Sequence, residues 1–393
     1  MNKVDVKIVV GANYGDEGKG LATDFFARNV SGKCLNVLYN GGPQRGHTVE
    51  TKDGKRHVFH HFGSGTFAKA HTLFDKDFMV NPILFVKEYD ELVNNGVDVK
   101  CFISPDCRVT TPYDMIINQI VEITRQGEKH GSCGCGIWET QRRYDDGMYS
   151  LRYSDMYRLN DSQLLEYIHS IAENYFYEQM KFYGIEEIPE AYKYLIGNGT
   201  MERHYVNDLR YMQQKSKCSR LESLCDDYKT IIFEGGQGLA LCETNLSAYP
   251  YTTPSKTGSV IPIKRIETIH ADMDVEVCYV TRSYFTRHGA GPFPTECQKS
   301  EINSCIKDCT NVPNEFQDSI RYGKFSKEEF YDRVFNDILV SDNSSFKIKR
   351  NLMVTHLNYT NGDVFGDCGL KDLEALFSTV YKSGTKFSKD IHC

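Results

Sequence analysis

The stretch Gly11-Ala12-Asn13-Tyr14-Gly15-Asp16-Glu17-Gly18-Lys19-Gly20 sets two carboxylates and one amine among glycines. Glycines let backbone N–H groups converge on an anion, and a lysine beside them supplies a point charge for a transferring phosphoryl group. Asp16 and Glu17 add carboxylates suited to metal binding or proton abstraction. The spacing departs from G-x-x-x-x-G-K-[ST], because Asn13 stands where the first glycine belongs and Gly20 follows Lys19. Taken alone, the stretch also fits a tight strand-to-helix turn with a solvated acidic tip.

The elements on either side favour the phosphate cradle. Val4, Val6, Ile8, Val9 and Val10 read as a β-strand, and Leu21, Ala22, Phe25 and Phe26 as the start of a helix. A helix that opens at the end of such a loop adds positive potential. Strands recur at Thr230–Phe233, Val275–Val280 and Asn351–Thr355, each running into a polar loop. This layout predicts an α/β fold, P-loop-NTPase-like, with a mostly parallel central sheet flanked by helices and loop subdomains. Its ligands would sit at the carboxyl ends of the strands. Residues 155–228 are expected to be mainly helical, from Leu164, Leu165, Ile168, Ile171, Ala172, Tyr175, Phe176 and Met180 at helical spacing. No linker divides the 393 residues, so one domain spanning 1–393 is expected.

Composition narrows the function class. With 25% charged and 40% hydrophobic residues the chain reads as globular, and a net charge of -7 argues against nucleic acid as a main partner. Apolar runs are strand-length, so no membrane partner is expected, and the first residues carry no signal-peptide core. Fourteen cysteines without such a signal read as reduced thiols in the cytoplasm. The close pairs Cys133/Cys135 and Cys305/Cys309 lack a second pair at zinc spacing, so no structural metal site is expected.

Further motifs reinforce the first loop: Asn40–Thr48, His60–Gly65, Gly131–Ile137, Phe233–Gly238, Tyr249–Ser255 and Thr286–Glu296. In this order the chain resembles the adenylosuccinate synthetase family from about residue 5 to its end. The resemblance implies a ligase that joins L-aspartate to C6 of a 6-oxopurine 5′-monophosphate, driven by NTP hydrolysis with Mg²⁺ through a 6-phosphoryl intermediate. It makes Asp16 the base at N1 and, with Gly46, a Mg²⁺ ligand. His47 becomes the donor to O6 and the phosphoryl group, and Lys19 the stabiliser of the phosphates. Gly15, Glu17, Gly18, Gly20, Gly46 and Thr48 become phosphate contacts. Gln44, Ser132, Cys133, Arg143 and Thr253 become contacts of the monophosphate, and Gln237 a contact of its purine. A homodimer is implied too, since a partner subunit usually donates an arginine, and Arg142 and Arg143 fall near that position.

The departures bear on substrate. Gln44 replaces a usual asparagine and Cys133 a threonine, and Arg45 stands where the family has a small residue, offering compensating charge. The family's Thr-Gly-Arg-x-Arg aspartate loop is replaced by Asn314–Gly323, where Ser319 and Arg321 are the candidates for the dicarboxylate. A Lys-x-Asp that reads guanine is replaced by His356-Leu357-Asn358. Guanine presents two donors that a carboxylate accepts, whereas adenine presents an acceptor and a donor that an amide matches. Asn358 therefore points to ATP or dATP, with Ser383 and Gly384 resembling the loop that closes over the base. These changes resemble the viral branch of the family, which acts on dGMP, although that branch often replaces the residue kept here as Asp16. IMP and dGMP both stay open as acceptor. A catalytically inactive nucleotide-binding homologue, and an NTPase or kinase independent of aspartate, are the competing readings.

Overall fold

The structure, a computed structural model, describes residues 3–125, 129–269, 271–308 and 319–393. Among these, a nine-stranded sheet runs in the order Thr379–Lys382, Ile348–Thr355, Met273–Arg282, Val4–Gly11, Thr230–Gly238, Cys34–Leu38, His71–Phe74, Cys101–Ile103, Lys217–Cys218. Every pairing in it is parallel. The expected central sheet is thus present, and all its carboxyl ends lie on one edge.

Val4–Gly11 is central because nearly every residue in it is buried. Val6, Ile8 and Val10 face one core with Ile231, Phe233, Val277 and Tyr279. Val9 faces the opposite side with Ile232, Cys278, Val280 and Leu21 of the following helix. Side chains alternate across a strand, so a run of β-branched residues serves both faces at once. Each fully buried Val or Ile contributes roughly 1.5–3 kcal/mol. Chain order reverses around this strand, whose neighbours come from residues 230–238 and 273–282. The loop after it therefore sits at a topological switch point, where open α/β sheets bind ligands.

The strand beginning at Thr230 runs on to Gly238, so Gln237 stands at a strand end rather than in a loop. The segment 155–228 carries the helices Asp161–Ser170, Phe176–Phe182 and Gly199–Lys215, the first two joined by a π-turn at Ile171–Tyr175. Its apolar residues pack with those of helices Pro82–Asn94 and Pro112–Thr124 in a second core, which reaches the sheet at Leu38, Phe74 and Ile103. Small antiparallel pairings add His47–Glu50 with Arg56–Phe59, and Arg321–Gly323 between Phe285–Arg287 and Glu296–Cys297. No helix among the described residues is long and apolar enough to cross a membrane.

One buried histidine of the second core sets an acid response. His61 Nε2 accepts the Asn81 N–H at 2.9 Å, and burial drives its pKa down to about 3. The unfolded chain takes up this proton near the ordinary value of about 6.5. Stability is therefore full above that pH and is lost as pH falls, by about 1.4 kcal/mol per unit for each such group. Urea midpoints measured from pH 6.5 to 5 are expected to fall, and His61→Gln to flatten that fall.

Candidate active site

The first loop turns on left-handed residues, with φ of 97° at Gly15, 58° at Asp16 and 100° at Gly18. Gly18 caps helix Lys19–Arg28. A side chain at Gly20 would meet His47 Cβ at 2.8 Å, so the helix end and the histidine approach because that position is bare. Glu17 turns inward. Its Oε1 accepts the N–H groups of Asn13 at 3.0 Å and Gly15 at 2.8 Å, and its Oε2 takes Lys19 Nζ at 2.8 Å. Burial opposes its charge, yet Lys19 and these N–H groups hold its carboxyl below the ordinary range. The expectation of Glu17 as a phosphate contact is corrected on this point: its carboxylate fills the loop's own N–H cradle.

His47, the first residue of its strand, places Nδ1 2.6 Å from Glu234 Oε1. Burial, followed by the nearby Arg45, drives its imidazole down to about 4, against the pull of Glu234. Burial works against the Glu234 charge as well, but Arg45 and His47 bring it to about 2. The pair therefore rests as neutral imidazole and carboxylate, with Nδ1–H donated to Glu234. His47 Nε2 is left buried without a hydrogen-bond partner. Ser64 donates to the same carboxylate through its N–H at 3.0 Å and through its hydroxyl. Arg45 is anchored by the fold, with its Nη1 left buried without a hydrogen-bond partner. It donates to the carbonyls of His60 at 3.0 Å and Phe62 at 2.7 Å, and lies 3.5 Å from Glu234.

A cavity of about 860 Å³ opens in front of this pair. Asp16, Lys19, Gly46, His47, Gln44, Ser132, Cys133, Gln237 and Thr253 are among the residues that line it. Burial raises the Asp16 carboxyl, against the opposing charges of Arg282, His288 and Lys19. Gln44 Oε1 accepts the Gly42 N–H at 2.7 Å while its Nε2 is buried and unpartnered. Ser132 Oγ accepts from Asn118 Nδ2 at 2.8 Å. Thr48 follows His47 on its strand, outside the cavity lining.

Asn358, Ser383 and Gly384 assemble separately, beside the other flank of the first loop. Thr355 Oγ1 donates to the Glu17 carbonyl at 2.7 Å, and its methyl would lie 3.1 Å from a side chain at Gly18. From there Leu357 N–H reaches the Ser383 carbonyl at 3.2 Å, and Gly384 lies against the Asn358 backbone. The Asn358 side chain is exposed. Ser383 is buried, its hydroxyl donating to the Thr385 carbonyl at 2.9 Å.

Two arginine expectations are corrected. Arg143 is fully buried, bonding both oxygens of Asp114 at 2.8 Å and the carbonyls of Val109 and Tyr149, so it is spent inside the fold. Arg321 pairs with Glu296 and donates to the Gly291 carbonyl at 2.9 Å, outside the cavity lining, and Ser319 is exposed. Residues 314–318 of that expected loop, and Cys309, lie outside the described residues. Arg287 is one of the cations that line the cavity, and it is bound to the carbonyls of Ala290 at 3.0 Å, Pro292 at 2.8 Å and Tyr251 at 3.4 Å. Its side chain is buried, and burial lowers its pKa. Arg287 and Glu234 both lie inside motifs visible in the sequence, Thr286–Glu296 and Phe233–Gly238, whose spacing does not by itself mark either one. Glu234 carries a signal, a charge directly after the apolar run Ile231–Phe233, whereas Arg287 only ends the short strand Phe285–Arg287.

A doubly wound parallel sheet with a glycine-rich first loop, a buried His–Glu pair and a cavity at the switch point defines a nucleotide-binding α/β protein. The chain belongs to the adenylosuccinate synthetase family, whose profile matches residues 8–321. It is similar to the adenylosuccinate synthetase of Prochlorococcus marinus (strain MIT 9301), 33% identical over 318 residues, covering 77% of this chain and 66% of that protein. The corresponding protein of Caldanaerobacter subterraneus is 32% identical, over 78% and 68%. The chain thus spans just under two thirds of the Prochlorococcus protein's length. Its fold is shared with the fully ligated adenylosuccinate synthetase of Plasmodium falciparum (TM-score 0.65, 19% identity, 90% of this chain and 77% of that one). It is shared equally with the cyanophage S-2L succinoaminodeoxyadenylate synthetase PurZ bound to dGMP and dATP (TM-score 0.66, 14% identity, 100% and 95%).

Proposed function

We propose that this protein ligates L-aspartate to C6 of a 6-oxopurine 5′-monophosphate at the expense of an NTP. The observation that carries the proposal is the convergence of Asp16, Lys19 and the Glu234-bound His47 on one cavity. A 6-oxo group is a poor leaving group. Asp16 takes the N1 proton, which moves charge onto O6, and O6 attacks the γ-phosphate. His47, protonated as the anionic phosphoryl group arrives, donates from Nε2 to it, while Glu234 stabilises the imidazolium. Lys19 offsets charge on the phosphates, and the aspartate amine then displaces the O6-phosphate. Positioning and fixed charges supply most of the acceleration.

Asp16 and Gly46 line the same cavity and offer a carboxylate and a backbone carbonyl, hard oxygen donors that fit Mg²⁺. When bound there, Mg²⁺ neutralises charge on the transferring phosphoryl group. Arg287 is the cation for an aspartate carboxylate, in place of Arg321. Gln237 offers its amide to the purine.

A second reading, in which the acceptor is dGMP and the donor ATP or dATP, is favoured by Asn358 at the donor base site. The deciding assay incubates the protein with Mg²⁺, aspartate and ATP, dATP or GTP against IMP, GMP and dGMP, following succinyl-purine by mass. Product from dGMP with an adenine donor supports the second reading, and product from IMP the purine-biosynthetic one. Nucleotide binding without product leaves the inactive homologue, and aspartate-independent hydrolysis leaves the NTPase. Asn358→Asp is expected to reverse donor choice, lowering kcat/KM for ATP about tenfold or more and raising it for GTP, since one bidentate base contact discriminates by about 1–3 kcal/mol.

A further inference from the structure

Two of the residues that line the cavity are cysteines, Cys133 and Cys135, separated by one glycine. No other two cysteines of the chain stand so close in sequence. Gly134 between them turns left-handed, with φ of 71°. Cα atoms one residue apart lie about 7 Å from each other in extended chain and closer across a turn. A disulfide bridges about 4.4–6.8 Å between Cα atoms, so the turn suits one. The Cys135 side chain already folds back over this peptide, its Sγ 3.9 Å from the Cys133 carbonyl. Both thiols keep partial solvent exposure, whereas Cys34, Cys101, Cys107 and Cys278 are buried.

The two sulfurs differ in character. A hydrogen bond from the Cys135 thiol brings the Cys133 thiol below its ordinary value, and the same bond pushes Cys135 well above its own. Elsewhere burial makes thiols inert, as at Cys101, which it lifts to about 12. Thiol–disulfide exchange needs one sulfur that attacks as thiolate and a second beside it that resolves the adduct. The segment is held by its neighbours. Asn118 Nδ2 donates to Ser132 Oγ at 2.8 Å, Gln119 Nε2 to the Gly134 carbonyl at 3.1 Å, and the Gly136 N–H to Asn118 Oδ1 at 3.1 Å. These bonds set the cavity wall of the reduced protein beside Ser132. A bond of about 2.05 Å between the sulfurs draws Cys133 toward Cys135 and reshapes that wall.

We propose that Cys133 and Cys135 are a redox-active pair that closes into a disulfide on exchange with a small-molecule disulfide, and that closure weakens binding of the acceptor's monophosphate. The Cys133 thiol gives its proton to solvent, and its sulfur attacks one sulfur of the reagent and expels the first thiolate. Cys135 then gives up its proton, and its sulfur attacks Cys133 Sγ and expels the second. The two leaving thiolates take up the two protons. Two cysteines are thus oxidised by two electrons, and one disulfide is reduced to two thiols. The monophosphate half rests on the ligase reading, whereas the pair itself rests on the geometry of residues 133–135.

The test equilibrates the full chain with 2-mercaptoethanol and its disulfide at graded ratios, followed by acid quenching, peptide mass mapping and equilibrium binding of IMP, dGMP and ATP. The peptide carrying both cysteines is expected to become about 2 Da lighter, without an adduct, as the ratio turns oxidising. The oxidised protein should bind the monophosphates at least about tenfold more weakly, the scale of one lost hydrogen bond to a charged group, with ATP within about twofold. Excess 2-mercaptoethanol should restore them. Cys135→Ser removes the resolving sulfur and should hold a mercaptoethanol adduct on Cys133, whereas Cys133→Ser should leave Cys135 largely unmodified. Absence of the disulfide at every ratio would overturn the proposal, as would oxidised and reduced affinities for the monophosphates within about twofold of each other. Both results are read on the parent chain, so they stand whether or not the serine variants fold. A disulfide in a protein whose reduced form binds no monophosphate refutes the ligase reading and keeps the pair. Monophosphate binding with no disulfide at any ratio refutes the pair alone.

Discussion

Asp16→Asn is expected to abolish succinyl-purine formation, by about 10³-fold or more, while monophosphate binding stays within about threefold. Asparagine is nearly isosteric and tolerates the left-handed φ of 58°, so the loop keeps its course. What disappears is the proposed acceptor of the N1 proton and the negative charge facing Lys19, Arg282 and His288. Without deprotonation O6 stays a neutral carbonyl oxygen and does not attack a phosphate. The pH dependence has a defined sign. Burial raises the Asp16 carboxyl, so the parent loses activity as pH falls through a value above the ordinary carboxylate range. Rates and dissociation constants measured on the same preparation separate chemistry from binding. A variant retaining a tenth of the parent kcat would show that Asp16 is not the base.

The same loop shows what a sequence discloses and what it withholds. A β-branched run followed by spaced glycines places a strand, a turn and a helix N-terminus, because each depends on local backbone preference. It does not disclose direction, and Glu17, adjacent to Asp16, points into the loop while Asp16 lies beside the cavity. The pair Arg142 and Arg143 repeats the lesson. Neighbouring positions on a helix differ by about 100°, so one arginine meets Asp114 in the core and the other meets solvent and aromatic rings. Which is which depends on where helix Pro112–Thr124 packs, a contact between residues 29 apart in the chain.

The place of Arg321 is hidden from the sequence for a related reason: its partner Glu296 lies on the neighbouring strand of a small antiparallel sheet that no periodicity announces. The helices of 155–228 were legible from spacing, but their partners were not, since an apolar stripe does not name what covers it. Asn358, Ser383 and Gly384, by contrast, were placed together by resemblance, and the ends of two adjacent parallel strands do bring them together.

His47→Asn is expected to lower kcat by about 10²–10³-fold with little change in KM for either nucleotide. On the proposed reading the imidazole meets the reacting phosphoryl group through Nε2, a contact that strengthens as charge accumulates in the transition state. The ring rests neutral, its pKa lowered to about 4 first by burial. An incoming phosphoryl anion raises it, and Glu234, already ionised, stabilises the imidazolium that forms. Glu234→Gln preserves shape and a partner for Nδ1 but removes that charge, so kcat should fall by about tenfold or more. If Glu234 acts through His47, the two changes are not additive: the double variant should be no slower than His47→Asn alone by more than about twofold. A multiplicative loss would mean that Glu234 matters by another route, through Arg45 and Ser64, which share its carboxylate. Thermal midpoints of the three variants read that route directly, because a buried Arg45 deprived of its carboxylate destabilises the fold whatever happens at His47.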